Sequence, residues 1–272
     1  MIPRSDDERF QRGAHDYAAY LETPEGRMRT ELAFSNLCEF LPVVSGGRPR
    51  HALDIGCGTG AAGVRLAGLG FHVTQLDPSE AMLEIARRAA QEAGIVNRLT
   101  FTHGDAAHLS DLLGAASFDT IICHNVLEYV DDPLIVLRVA ASALRDTSSI
   151  LSVVVRNRIG EVLKAAIQAG DLEAAEVNLT AEWGTESLFG GRVRLFTLSN
   201  LRAMFHAESL HPIAERGIRA LADYLPPQLS GNNEYARILQ LETKLSSRPE
   251  FAAIARYTQC ITRRMESAAC KA

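Results

Sequence analysis

The sequence predicts an α/β fold: a doubly wound, mostly parallel sheet of seven strands, led by a helical cap and carrying an insert after the fifth strand. Three observations predict it. Short apolar runs (HALDIGC, HVTQLD, LTFTHGD, FDTIICHNV, ILSVVVRN) recur between residues 51 and 157 and alternate with helical stretches. A glycine-rich loop, ALDIGCGTGAAG, follows the first run. Two more strand-like runs, residues 210 to 218 and IARYTQCITRR, come late and are expected to add an antiparallel edge.

Taken in order, residues 5 to 41 read as helical, with Phe10, Tyr17, Leu32, Leu37 and Leu41 spaced among charges and a break at Thr23-Pro24. Gly46-Gly47-Arg48-Pro49 is a loop before the first strand. GAAGVRLAGLG gives a helix closed by Gly70, and PSEAMLEIARRAAQEAG a second, with Pro78 near its start and Gly94 at its end. DPLIVLRVAASAL is helical, as is EVLKAAIQAG beyond the fifth strand. Residues 172 to 194, with the single Trp183, read as irregular. TLSNLRAMFHAE and EYARILQLETKLSS are the last two helices expected. This divides the chain into a cap (1–45), a core (46–157), a helix with a substrate-side insert (158–196) and a part that completes the sheet (197–272).

Composition narrows the function classes. The chain has 272 residues, 47% hydrophobic and 22% charged, as in ordinary globular proteins. A net charge of -5 argues against a broad nucleic-acid surface and leaves room for a local basic patch. The polar start does not read as a signal peptide, and no apolar run nears the ~18 residues that span a membrane, so a cytoplasmic location is expected. Five scattered cysteines without a CxxC pair read as reduced thiols, with no metal site.

The chemistry is expected at the carboxyl ends of the strands. Gly56, Gly58 and Gly60 permit positive φ and turn backbone N–H groups toward a ligand at a helix N-terminus. Gly58-x-Gly60-x-x-Gly63 also fits a dinucleotide fingerprint. The frame points elsewhere, because Asp54 puts a carboxylate where a pyrophosphate would sit, which suits an amine-bearing ligand. Asp77, nineteen residues after Gly58, ends the second strand where it can accept both ribose hydroxyls, a device shared with NAD sites. Asp105 and Ala106 end the third strand and suit an adenine edge; His124 and Asn125 end the fourth. A nucleoside spread over three strand ends without a phosphate fits S-adenosylmethionine (SAM).

LDIGCGTG, QLDPS, HGDA and FDTIICHNVLEYV resemble, in order and spacing, the motifs of class I SAM-dependent methyltransferases with their Rossmann-like sheet. FQRGAHDYAAYLETPEGRMR and the tail GIRALADYL…LQLETKLSSRPEFAAIARYTQCITRR extend a likeness to the bacterial tRNA 5-carboxymethoxyuridine methyltransferase family over most of the chain. The resemblance implies that Arg29 reaches the methionine carboxylate of SAM. It also implies cofactor contacts at Gly56, Cys57, Asp77, Asp105, Ala106 and His124; with Asp54, Gly58, Gly60, Pro78 and Met82 these make up the expected cofactor set. It further implies O-methylation of a carboxylate, the acceptor being tRNA. One departure stands out: where that family is lysine-rich, this chain is acidic until Arg192 and Arg194. A small carboxylate-bearing molecule, or a SAM-binding protein without turnover, therefore stays open.

An ionised carboxylate acceptor needs no general base. A phenol or amine would need one, and His124 and Tyr17 are the candidates. For the acceptor, Arg219, Tyr224, Arg256 and Tyr257 stand out, since an arginine fork grips a carboxylate bidentately. Singly, each reads as a surface arginine or a half-buried tyrosine. Trp183 reads as a loop anchor before a base-stacking residue, and Asp54 as either a holder of its own loop's amides or a group acting through water on the cofactor's amine. The cap and the insert lie where they could close over the crevice.

Overall fold

Two helices lead the chain, α1 (Asp6–Leu21) and α2 (Pro24–Cys38), and the corner between them follows from local chemistry. Thr23 caps α2, its hydroxyl accepting from Gly26 N at 3.1 Å, and Pro24 occupies the first turn, where its missing N–H has no consequence. The structure, a computed structural model, describes residues 6–43, 47–113, 117–186, 188–226 and 234–265; Gly46 and Cys270 lie outside them.

The core then alternates as expected: β1 (Arg50–Ile55), α3 (Ala61–Gly68), β2 (Phe71–Asp77), α4 (Glu80–Glu92), β3 (Leu99–His103), α5 (Leu109–Leu113), β4 (Thr120–His124), α6 (Pro133–Ala143) and β5 (Ile150–Arg156). Asn157 caps α7 (Arg158–Leu163), which runs on as a π-turn through residues 164–169. Residues 172–194, expected to be irregular, fold into α8 (Leu172–Asn178) and an antiparallel hairpin of β6 (Trp183–Glu186) and β7 (Gly191–Arg194). Asp171 caps α8 through Ala174 N, and Gly190 and Gly191, both at positive φ, supply the reversal that β-branched residues resist. The chain closes with α9 (Leu198–Ala207), β8 (Leu210–Ile218), α10 (Tyr235–Ser246), α11 (Pro249–Ala252) and β9 (Tyr257–Arg264).

The seven strands run in the order β3-β2-β1-β4-β5-β9-β8. The five core strands are parallel, and β9 is antiparallel to both β5 and β8. So β8 runs in the same direction as the core strands, and the expected antiparallel edge is one reversed strand set inside the sheet. Alternation along the strands sends their side chains to two cores. Leu53, Ile55, Ile121 and Cys123 pack with α6 and α9, while Ala52 and Ile122 pack with α2 and α3. The chain reverses between β1 and β4, the neighbours of opposite crossover, and the strand ends there open a crevice.

A file of buried polar groups crosses these layers. Ser246 of α10 donates to Asn36 Oδ1 on α2, and Asn36 Nδ2 donates to Gln259 Oε1 on β9. Gln259 Nε2 donates in turn to Ser152 Oγ on β5, whose hydroxyl lies 2.7 Å from His124 Nε2 at the end of β4. Each member is paired, which is the condition for polar groups to sit in a core.

Candidate active site

The strand ends, the α1–α2 cap, the β6–β7 hairpin and the turn after β8 enclose a cavity of about 910 Å³. Its near wall is the glycine loop. Gly56, Gly58 and Gly60 take positive φ (62°, 54° and 79°), as the loop requires. A side chain at Gly58 would come within 3.2 Å of the Tyr17 ring, so the cap presses directly on the loop.

Asp77 finishes β2 pinned on both oxygens: Gly58 N donates to Oδ2 at 2.8 Å and Ser79 N donates to Oδ1 at 2.9 Å. Pro78, Met82, Asp105, Ala106, His124 and Asn125 line the cavity beside it. Asp54 and Cys57 face a smaller side pocket of about 70 Å³ that also receives Arg29. Gly60 lines neither space; it is the N-cap of α3, and its carbonyl accepts from Gln75 Nε2. Asp54 is held by Gly63 N–H and the Gln75 side chain, but Oδ2 is buried without a hydrogen-bond partner. Burial pushes its carboxyl up to about 7, against those two donors, and the neighbouring Asp77 adds to the rise. Burial likewise raises the Cys57 thiol, so it is not a thiolate nucleophile.

Arg29 projects from α2 between three rings, Tyr17, Tyr20 and Tyr257, with its guanidinium carbon 5.1–5.7 Å from their centroids. Its Nη2 donates to Tyr17 Oη at 2.9 Å. The residue is 8% exposed and has no carboxylate partner among the described residues. A buried guanidinium paired with nothing but rings and a phenol calls for an anion, and a methionine carboxylate is such an anion.

His124 is not placed as a base. Burial, with Arg29 nearby, pushes its imidazole down to about 3. Because Gln259 donates into Ser152 Oγ, the serine hydroxyl hydrogen is free to donate to Nε2 and occupy it. Tyr17 spends its phenol oxygen on Arg29.

The far wall carries the late residues. Arg219 Nε donates to Asp223 Oδ1 at 2.7 Å and Nη1 to Tyr20 Oη at 3.2 Å. Arg256 Nη1 lies 2.7 Å from Glu161 Oε1, an ion pair outside hydrogen-bond angles, and its Nε lies 3.7 Å from Asp223 Oδ2. Arg156, the last residue of β5, reaches the same Glu161 oxygen at 3.4 Å. Three guanidiniums thus share two carboxylates. Tyr257 sits among them. Burial alone would raise its phenol, but Arg29, Arg219, Arg156 and Arg256 outweigh burial and pull it down to about 8, the mark of a site with surplus positive charge.

Tyr224 is a correction. Its hydroxyl donates to Gly160 O at 3.3 Å and it does not line the cavity, whereas its neighbour Asp223 does. The two share a 3₁₀ turn, where adjacent side chains point about 120° apart. The turn is held by Glu242 of α10, buried at 1% exposure, which accepts from Ala220 N, Leu221 N and Ala222 N at 2.7–2.8 Å. That clamp keeps Arg219 at φ 61°. Sequence reasoning passed over Glu242, Glu161, Tyr20 and Arg156; of these, Arg156 alone stood at a strand's carboxyl end and so carried a signal. Among the described residues there is no metal-binding group of three or more His, Cys, Asp or Glu, and no helix long and apolar enough to cross a membrane.

Strand order, glycine loop and pinned strand-end carboxylates define a class I SAM-dependent methyltransferase, and the comparisons agree. Residues 52–147 match the family model of a methyltransferase domain. The chain is 24% identical to the tRNA 5-carboxymethoxyuridine methyltransferase of Escherichia coli (strain K12), over 90% of this chain and 91% of that protein. It is 35% identical to the ubiquinone biosynthesis O-methyltransferase of Marinobacter nauticus, over 35% of this chain and 40% of that one. Among solved structures, a SAM-dependent methyltransferase from Thermotoga maritima superposes with a TM-score of 0.60 at 18% identity, covering 95% of this chain and 99% of that one. The chain is a SAM-dependent methyltransferase.

Proposed function

We propose that the enzyme transfers the methyl group of SAM to an ionised carboxylate, and that the acceptor is a carboxymethoxy-type wobble uridine of tRNA. The observation that carries this reading is the far wall: Arg156, Arg219 and Arg256 share Asp223 and Glu161, leaving a positive surplus around Tyr257 for one anionic group. SAM supplies an activated methyl group on a sulfonium. On this reading Asp77 holds the ribose, Asp105 and Ala106 face the adenine, Arg29 takes the methionine carboxylate, and Asp54 lies toward the ammonium with its unpartnered Oδ2.

Chemistry and geometry then agree. A carboxylate oxygen forms the O–CH₃ bond as the S–CH₃ bond breaks, with no proton to remove, which suits a site whose histidine is neutral and capped by Ser152. The protein contributes alignment, worth several kcal/mol when the reacting atoms are held about 3 Å apart in line. The desolvated anion is steadied by arginines already engaged with acids, so they hold it without fully neutralising it. The uridine assignment draws on the relative whose likeness spans 90% of this chain; the ubiquinone relative is alike over 35% of it. A small free carboxylic acid is the second reading, favoured by the acidic insert with Glu173, Glu176 and Glu182.

Methyl-labelled SAM offered with tRNA bearing 5-carboxymethoxyuridine, tRNA lacking it, and a panel of small carboxylic acids decides between them. The expected result is label in the modified tRNA alone, released as methanol by mild alkali as an ester requires. Label confined to a small acid overturns the tRNA assignment, and alkali-stable label overturns the carboxylate.

A further inference from the structure

The β6–β7 hairpin stands at the rim of the cavity. It lends Thr185, Glu186 and Phe189 to the lining, and its base is tied down where Arg194 N donates to Glu128 O at 3.0 Å. Strand alternation sets Trp183, Thr185, Arg192 and Arg194 on one face of the hairpin, opposite the buried Glu186 and Val193, so the cluster adjoins the cavity wall at Thr185. Trp183 is 36% exposed, and the guanidiniums of Arg192 and Arg194 lie 4.7 and 4.6 Å from its ring centroid. Arg194 is the cross-strand partner of Trp183. Arg192 is exposed, and neither arginine has a carboxylate partner among the described residues; Arg194 spends one donor on Asp131 O at 3.2 Å.

An insert this acidic would ordinarily pair its two arginines with its own glutamates. Here both are gathered on an exposed indole instead, on the strand face shared with Thr185 of the cavity wall. Cation–π contacts hold the guanidinium planes in place without neutralising them, so their charge stays available to a partner. A nucleotide in the cavity has neighbours on either side whose phosphates must run outside it. Rigid cations beside a stackable ring match that chemistry, because single strands are held by phosphate–arginine contacts and base–aromatic stacking.

We propose that Trp183, Arg192 and Arg194 form a docking platform for the single-stranded RNA that flanks the acceptor nucleotide, the indole stacking on a base and the guanidiniums gripping phosphates. The platform rests on the tRNA reading, and its test is separable from it. A fluorescein-labelled anticodon stem-loop RNA with an unmodified wobble uridine serves as the probe, titrated by anisotropy with the SAM product present. Trp183→Ala raises the Kd about tenfold or more, the span that loss of one stacked base produces. Trp183→Phe retains most of the affinity. Arg192→Ala lowers the slope of log K against log salt by about 0.7, one phosphate contact on a single strand. Affinity for SAM stays unchanged in all three variants, which shows that they fold. The platform is overturned if the variants bind the stem-loop as the wild type does, or if the wild type does not bind it. In the first case, wild-type methylation of modified tRNA leaves the acceptor reading standing; in the second, its absence brings that reading down as well.

Discussion

Asp54 offers the sharpest quantitative test. Its carboxyl is 3% exposed, is held by two donors, and leaves Oδ2 with no hydrogen-bond partner. The folded value of about 7 lies about 3 units above the ordinary 3.8. A folded pKa raised above the unfolded one means that the folded state holds the proton more tightly. The stabilisation is therefore complete below about pH 4 and is lost as pH rises through 7. At 1.36 kcal/mol per unit the full span is of order 4 kcal/mol, of which roughly 2–3 kcal/mol falls between pH 5 and 8. Asp54→Asn cannot titrate. Urea unfolding of both ligand-free proteins across that range should show the wild type losing this much more stability than the variant. Subtracting one curve from the other removes the groups common to both. Parallel curves would refute the buried, under-paired carboxylate. The same group predicts that binding SAM at pH 7 expels about half a proton, as the cofactor's ammonium favours the ionised form. Calorimetry in phosphate and in Tris should then differ in apparent enthalpy, and should not for Asp54→Asn.

Three further outcomes are expected. Arg29→Ala raises the Kd for SAM by ten- to a hundredfold, the scale of a hydrogen-bonded charge, and unchanged affinity in calorimetry would remove Arg29 from the cofactor site. The KM for an anionic acceptor climbs above about pH 8 as Tyr257 ionises and its phenolate cancels the arginine surplus, whereas Tyr257→Phe gives a flat KM there; a wild-type KM flat to pH 9.5 would contradict the cluster. Glu242→Ala strands three amides of the turn after β8 and lowers unfolding free energy by at least about 3 kcal/mol, while acceptor KM rises more than SAM Kd; equal loss of both would deny its hold on Arg219.

The proposed cofactor wall was legible because its logic is local. Buried parallel strands read as unbroken apolar runs such as ILSVVVR, glycines take the positive-φ positions of the loop after β1, and Asp77 and Asp105 stand at the end of the second run and two residues past the third. The hairpin was hidden because its strands are four residues each, with Val193 and Glu186 as their buried members, so no alternation emerges from them. His124 looked like a base because its partner, Ser152, is brought to it by pairing of β4 with β5, and sequence carries no mark of that. Tyr224 and Asp223 differ by one position in a turn whose phase is set by Glu242, eighteen residues further on. Arg219 and Arg256 could be named in advance because chemistry selected them; their shared acids came from α7 and the turn after β8, which tertiary folding alone joins.

The polar file from Ser246 to His124 has a consequence for anyone reshaping this enzyme. It stitches α10, α2, β9, β5 and β4 with side-chain amides that have no spare partners, so these segments melt together rather than piecemeal. An acceptor specificity grafted by exchanging the segment from α10 to β9 would remove Ser246 and Gln259, strip Asn36 of both side-chain partners and Ser152 of its amide donor, and unsettle the imidazole at the end of β4. The late segment that looks like a replaceable specificity module is also a keystone of the proposed donor site, and a chimaera that keeps Asn36, Ser152, Ser246 and Gln259 is the one expected to fold.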